Sequence, residues 1–162
     1  MPIDRVVVNA SPLICLFQAG MEGILGLLWS HVEVPEAVWE EILAGPKTDR
    51  AAKLLASASW AKKVEANTIL PQIAAWDLGP GESEVLTFAF RNPGYRAVID
   101  DAEARRCART FGIPLLGTGG ILVLAKRRGL VGSVSQALDT LKESGLWLSD
   151  DIVRMLRSQA GE

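Results

Sequence analysis

The sequence predicts an α/β domain built on a mostly parallel sheet covered on both faces. Three observations point there. Short β-forming runs alternate with helical segments at the spacing of βαβ units. The apolar fraction is 49% and the mean hydropathy +0.21, which suits strands buried on both sides. A length of 162 residues fits one domain with a substantial core, removing about two-thirds of the unfolded surface from water.

Arg5-Val6-Val7-Val8 reads as the first buried strand, and Asn9-Ala10-Ser11-Pro12 ends it. Leu13 to Ala19 is a short helix with Pro12 at its start, broken at Gly20; Met21 to Trp29 gives a second. Val32-Glu33-Val34 is the next strand. Pro35 opens a helix whose apolar stripe is Ala37, Val38, Ile42 and Leu43; Glu41 borders that face, and Glu40 turns to solvent. Gly45-Pro46 ends it. Lys47 to Ala58 is expected to be helical. Trp60 to Ala66 is an edge strand whose Lys62 and Lys63 discourage edge pairing. Asn67 to Leu78 is a connector with Trp76, whose conformation the sequence does not determine.

The densest stretch follows, residues 79–120. Gly79-Pro80-Gly81 is a turn signal. Glu82 to Arg91 is a helix that is apolar almost all round, through Val85, Leu86, Phe88, Ala89 and Phe90. Tyr95 to Ile99 is a buried strand, followed at once by Asp100 and Asp101. Ala102 to Gly112 is helical with Ala104, Cys107, Ala108 and Phe111 on one face. Ile113 to Leu116 is the last strand, and Gly117-Thr118-Gly119-Gly120 a flexible turn. Ile121 to Arg128 is a helix whose terminal cations complement its dipole. Ser133 caps a helix to Ser144, Gly145 interrupts, and Ser149 caps another to Ser158. These C-terminal helices, 133–158, pack on or extend one domain spanning 1–162. Gln159 to Glu162 is expected to fray.

Composition excludes several classes. A net charge of −2 and a pI near 5.5 argue against coating nucleic acid by bulk charge, but not against a local basic patch. No apolar run approaches the ~20 residues of a membrane span. The opening MPIDRVVV carries an early acid and enters a strand, so no signal peptide is expected there. A cytoplasmic setting is expected, with Cys15 and Cys107 as buried thiols on helix faces. The single histidine, His31, excludes His-rich zinc sites and reads as a surface or inter-element residue. The sequon Asn9-Ala10-Ser11 carries no weight without a secretory signal.

In an open parallel sheet, sites form beyond the carboxyl ends of the strands. Four segments place acids, or an acid's amide, there: Asn9 after the first strand, Glu41 on the helix after the second, Glu82 at a helix start, and Asp100-Asp101 after a later strand. Converging carboxylates repel, and a bound cation relieves that cost. Oxygen-only ligands favour Mg²⁺ or Mn²⁺ over zinc. Such a metal activates water and clamps a phosphoryl oxygen, so the implied chemistry is phosphodiester hydrolysis. Each residue also has a plainer role open to it. Glu82 suits the positive end of a helix, Asp100 or Asp101 suits an N-cap, and Glu41, Glu36, Glu40 and Glu84 suit a solvated surface. Arg105, Arg106 and Arg109 either hold phosphates or form the wet side of their helix. Thr118 either touches substrate or shapes its turn.

VVVNASPLICL, VPEAVWEEI, LGPGESEVLTFA, AVIDDAEARRCARTFGIPLLGTGGILVLAKRRGLV and ALDTLKESGLWLSDDIVRMLRSQAGE together resemble the PIN-domain family, and within it a VapC-like branch of predicted nucleic-acid-binding proteins. The AVIDD block is the most specific. The resemblance implies a three-layer α/β/α fold with a central, mostly parallel sheet and a Mg²⁺- or Mn²⁺-dependent endoribonuclease. It places Glu41 at the second acidic position, Glu82 at the third and Asp100 or Asp101 at the fourth; register leaves Glu82 against Glu84, and Asp100 against Asp101, open. Many members are toxins, often homodimeric and neutralised by a small antitoxin protein.

The chain departs from that family at Asn9, where an aspartate is usual. An amide dipole replaces a full charge. At an effective dielectric of 20 a unit pair at 4 Å is worth about 4 kcal/mol, so metal binding would weaken by roughly two to three powers of ten. Asparagine still ligates divalent ions. A metal-dependent ribonuclease is therefore one reading, and a PIN fold kept as a non-catalytic nucleic-acid- or protein-binding module the other. A phosphoacceptor receiver domain is a third, weakened by Gly119-Gly120 where a lysine would be required.

Overall fold

The computed structural model describes residues 4–65 and 67–162. The opening MPI and Ala66, the expected end of the edge strand, lie outside the described residues. Five strands are formed: β1 (Arg5–Val8), β2 (His31–Pro35), β3 (Ala61–Val64), β4 (Tyr95–Val98) and β5 (Leu115–Leu116). All pair in parallel, in the order β3-β2-β1-β4-β5. The chain lays β2 and β3 on one side of β1, then crosses to lay β4 and β5 on the other. The carboxyl ends of β1 and β4 are therefore a topological switch point, where open α/β sheets place their ligands. Register carries this to the residue: Val8 lies beside Val98, and the Asn9 N–H donates to the Val98 carbonyl at 3.0 Å.

Helices cover both faces. Between β1 and β2 lie α1 (Ala10–Gln18) and α2 (Gly23–Leu28); α3 (Glu36–Ala44) and α4 (Arg50–Leu54) follow β2. Then come α5 (Pro71–Ala74), α6 (Pro80–Arg91) and α7 (Ala102–Thr110), and last α8 (Thr118–Arg127), α9 (Val134–Glu143) and α10 (Asp150–Gln159). α1 packs on α9 and α2 on α8, while α6 packs on α5 and α7. The fold is three-layered α/β/α. Val6, Val7 and Val8 are successive and fully buried; strand side chains alternate faces, so both faces of β1 are covered. No described helix is long and apolar enough to cross a membrane.

Several expectations change. α1 begins at Ala10, three residues early, so Asn9 stands at its N-cap position. The 47–58 helix shortens to α4 and a 3₁₀ turn at Leu55–Ser57; the connector, undetermined in the sequence, contains α5, anchored by buried Ile73. In α3 only Val38 and Ile42 are buried, and Leu43 is exposed. Phe90 is likewise exposed, so α6 does have a wet side. Gly117–Gly120 is no flexible turn: Thr118 opens α8. A Cβ on Gly119 would lie 2.5 Å from Leu156 Cδ1, and one on Gly120 2.5 Å from Leu116 Cδ1. These glycines admit neighbours; they do not supply mobility.

The tail is not frayed either. Glu162 accepts from the Val134 N–H at 2.6 Å, the Ser135 N–H at 3.2 Å and Lys126 Nζ at 2.8 Å. It thereby caps α9, whose own N-cap Ser133 accepts from the Gln136 N–H. The expected cap Ser149 accepts from the Ile152 N–H. Both cysteines are free thiols, Cys107 buried and Cys15 partly so. His31 is exposed beside Ser30.

Candidate functional site

Asn9 sits in extended backbone at the α1 N-cap but makes no capping bond with its side chain. It is buried, 2% exposed, and its Nδ2 donates to Glu82 Oε1 at 3.3 Å. That bond orients the amide, because only the NH₂ can face a carboxylate. Oδ1 is left buried without a partner among the described residues. Such an oxygen costs about 1–3 kcal/mol when nothing satisfies it.

Gly81 creates the space beside this oxygen. A Cβ on Gly81 would lie 3.2 Å from Asn9 Oδ1, 3.3 Å from Val38 Cγ2 and 3.9 Å from Glu41 Oε2. Asn9 and Glu41 therefore face the same gap. A Cβ on Gly79 would lie 2.6 Å from Glu82 Oε2, so Glu82 folds back over the start of α6, where the dipole favours its charge. Burial raises the pKa of the Glu41 carboxyl, and the Glu82 charge raises it further. Glu84, two residues on, points elsewhere. It accepts from the Ala37 N–H at 3.3 Å, and burial pushes its pKa up, with Glu36 and Glu40 adding to the shift.

Asp100 is tied down differently. Its Oδ1 accepts from the Thr118 N–H at 2.8 Å and its Oδ2 from Thr118 Oγ1 at 2.6 Å. Thr118 is fully buried, so its hydroxyl positions Asp100. Asp101 is the N-cap of α7 and accepts from the Ala104 N–H at 2.9 Å. Of the acidic doublet, Asp100 turns into the site edge and Asp101 serves the helix. Arg105 Nη1 donates to the Ile99 carbonyl at 2.8 Å; burial and Arg109 lower its pKa, and Asp100 opposes that shift.

A cleft of about 440 Å³ opens from Asp100 past Arg105 and Arg109 to Trp147 and α10. Arg106 does not line it; it pairs with Glu103 on the wet side of α7. Trp147 has no motif around it in the sequence; its only signal is an aromatic placed between two capped helices. In the sequence Gly79 and Gly81 signal only a turn, because the side chains they make room for come from packing.

Among the described residues, no three or more His, Cys, Asp or Glu side chains are grouped to hold a metal. The Asn9 amide changes what the edge offers. Glu41, Glu82 and the unpartnered Asn9 Oδ1 form an oxygen-only set around one gap, with donor chemistry that suits a small hard cation. Asp100 stands apart with Thr118. A search of curated proteins gives no match. A family model described as PIN domain matches residues 5–162, nearly the whole chain and every segment that builds this edge. Sheet order, switch-point acids and family match agree: the chain belongs to the PIN-domain family.

Proposed function

We propose that the chain is a Mg²⁺- or Mn²⁺-dependent endoribonuclease, the toxin of a toxin–antitoxin pair, working as one domain with a weakened first ligand. The observation that carries this reading is the buried, unpartnered Asn9 Oδ1 beside Glu41 and Glu82. Glu41, Glu82 and Asn9 hold the cation. When bound, it supplies the charge that polarises a phosphoryl oxygen and acidifies an attacking water. Asp100, fixed by Thr118, keeps a second negative charge at the edge. Asp101 acts through α7, whose first turn it holds. Arg105 and Arg109 receive the phosphates of the RNA strand, and Arg106 lies outside that path.

A specific observation favours a second reading. The Asn9 Nδ2–Glu82 Oε1 hydrogen bond holds these two side chains together without any cation, although it leaves Asn9 Oδ1 unpartnered. A PIN fold kept for binding RNA or a protein would have this feature.

Cleavage of a single-stranded RNA with Mn²⁺, with and without chelator, separates the two. Chelator-sensitive cleavage by the unmodified chain, lost in Glu82→Gln, is expected. Cleavage by Asn9→Asp alone would establish the binding-module reading instead. The toxin assignment is tested by growth arrest on expression and its relief by the adjacent gene's product, a small antitoxin. Sedimentation tests the homodimer that this reading brings with it.

A further inference from the structure

We propose that Trp147 is the base-stacking platform of a nucleotide subsite, so that a strand crossing the acidic edge lays one base on its indole. This rests on the RNA reading above. Trp147 is 82% exposed, more than any other large apolar side chain among the described residues. It is not an isolated surface aromatic. It lines the same cleft as Asp100, Arg105 and Arg109, and Asp100 follows β4 at the same carboxyl edge of the sheet at which Asn9 follows β1. A strand held at that edge can therefore run on into the cleft.

Size and chemistry agree. At about 440 Å³ the cleft lies within the roughly 300–1,000 Å³ of pockets that hold a small ligand, room for one nucleotide and not for a duplex. Ile152 and Met155 of α10 are exposed in the same cleft and offer further apolar surface to a base. Single strands are recognised by aromatic stacking with cations along the backbone. No carboxylate among the described residues pairs with Arg105 or Arg109 at salt-bridge distance, whereas Arg106 has Glu103. Arg105 Nη1 is held by the Ile99 carbonyl with Asp100 nearby, so Arg109 is the cleft cation more open to a phosphate, with Arg105 adding its charge beside it. An apolar protein helix would bury them unpaired, at high cost; a phosphodiester strand neutralises them.

The test is binding of a 5′-labelled single-stranded RNA by anisotropy, in chelator so that nothing is cut. The full chain is compared with Trp147→Ala and Trp147→Phe, on the intact oligonucleotide and on copies with one abasic site moved along it. Removing a stacking side chain costs about 1–3 kcal/mol per base, so Trp147→Ala should bind about 5- to 150-fold more weakly. Trp147→Phe should retain most of the affinity. At one abasic position the unmodified chain and Trp147→Ala should bind alike. Arg109→Gln should reduce the salt slope by about 0.7. Equal affinity of the unmodified chain and Trp147→Ala for intact RNA overturns the subsite alone. So does a loss identical at every abasic position, or a loss that follows dissociation of a dimer in sedimentation, which would make the cleft a protein interface. If the unmodified chain binds no RNA, the RNA reading falls and the subsite with it.

Discussion

The two halves of the carboxyl edge are built in opposite ways. On the β4 side, both oxygens of Asp100 are held by Thr118. On the β1 side, Asn9 Oδ1 is buried with no partner, and two carboxylates stand near it at the cost of a raised Glu41 pKa. One half is complete as it folds. The other is left wanting a positive charge. The difference separates a residue that keeps an edge in shape from residues kept ready for something else.

The sharpest way to break this contrast is Asn9→Asp. It places a carboxylate at a 2% exposed position beside Glu82 and Glu41. Without metal, the melting temperature should fall. Mn²⁺ should restore it, with affinity roughly a hundredfold or more above that of the unmodified chain. Melting curves with and without Mn²⁺ check both.

On the closed half, Thr118→Val keeps the shape and removes the hydroxyl under Asp100. Hydrogen bonds to charged groups are worth about 1.5–3 kcal/mol, so urea unfolding should show a loss of about that size. Asp101→Ala should cost about 0.5–2 kcal/mol through the cap of α7 and leave Mn²⁺ affinity unchanged. If it abolishes Mn²⁺ binding, the division between Asp100 and Asp101 is wrong.

The open half can also be read by titration. In the metal-free protein Glu41 should titrate above the ordinary 4.5, because of burial first and Glu82 second. Carboxyl NMR should show Glu82→Gln lowering it part of the way back. The folded state holds this proton more tightly than the unfolded one, so Glu41 makes stability fall as pH rises from about 4.5 through its folded value. Glu162 carries the opposite sign. Its pKa is depressed, chiefly by Lys126 and then by the Val134 N–H, so its contribution is present above 4.5 and lost as pH falls. Glu162→Gln should flatten that acid limb in melting curves, the smallest of these effects.

What could be read from the sequence was local. Arg5–Val8 and the strand after Pro93-Gly94 are short runs suited to burial, and Ser133, Ser149 and Asp101 are caps defined by their own next turn. Asn9 directly follows β1 and Asp100-Asp101 closely follow β4, where the strand-end reading expects them. What could not be read depends on packing. Gly119 and Gly120 look like a hinge until Leu156 and Leu116 are placed against them. Glu162 caps a helix that starts 28 residues earlier, and no local pattern signals that. That Glu82 faces Asn9 while Glu84 turns to the Ala37 N–H depends on how α6 is rotated against α3. Pairing Asp100 with Thr118 needed β5 to lie beside β4.

The most direct measurement is calorimetric titration of Mn²⁺ into the unmodified chain, Glu82→Gln and Asn9→Asp. The unmodified chain should bind one Mn²⁺, Glu82→Gln none, and Asn9→Asp should bind it more tightly. Absence of Mn²⁺ binding in the unmodified chain, or an affinity indifferent to Glu82, would contradict a cation held by Asn9, Glu41 and Glu82.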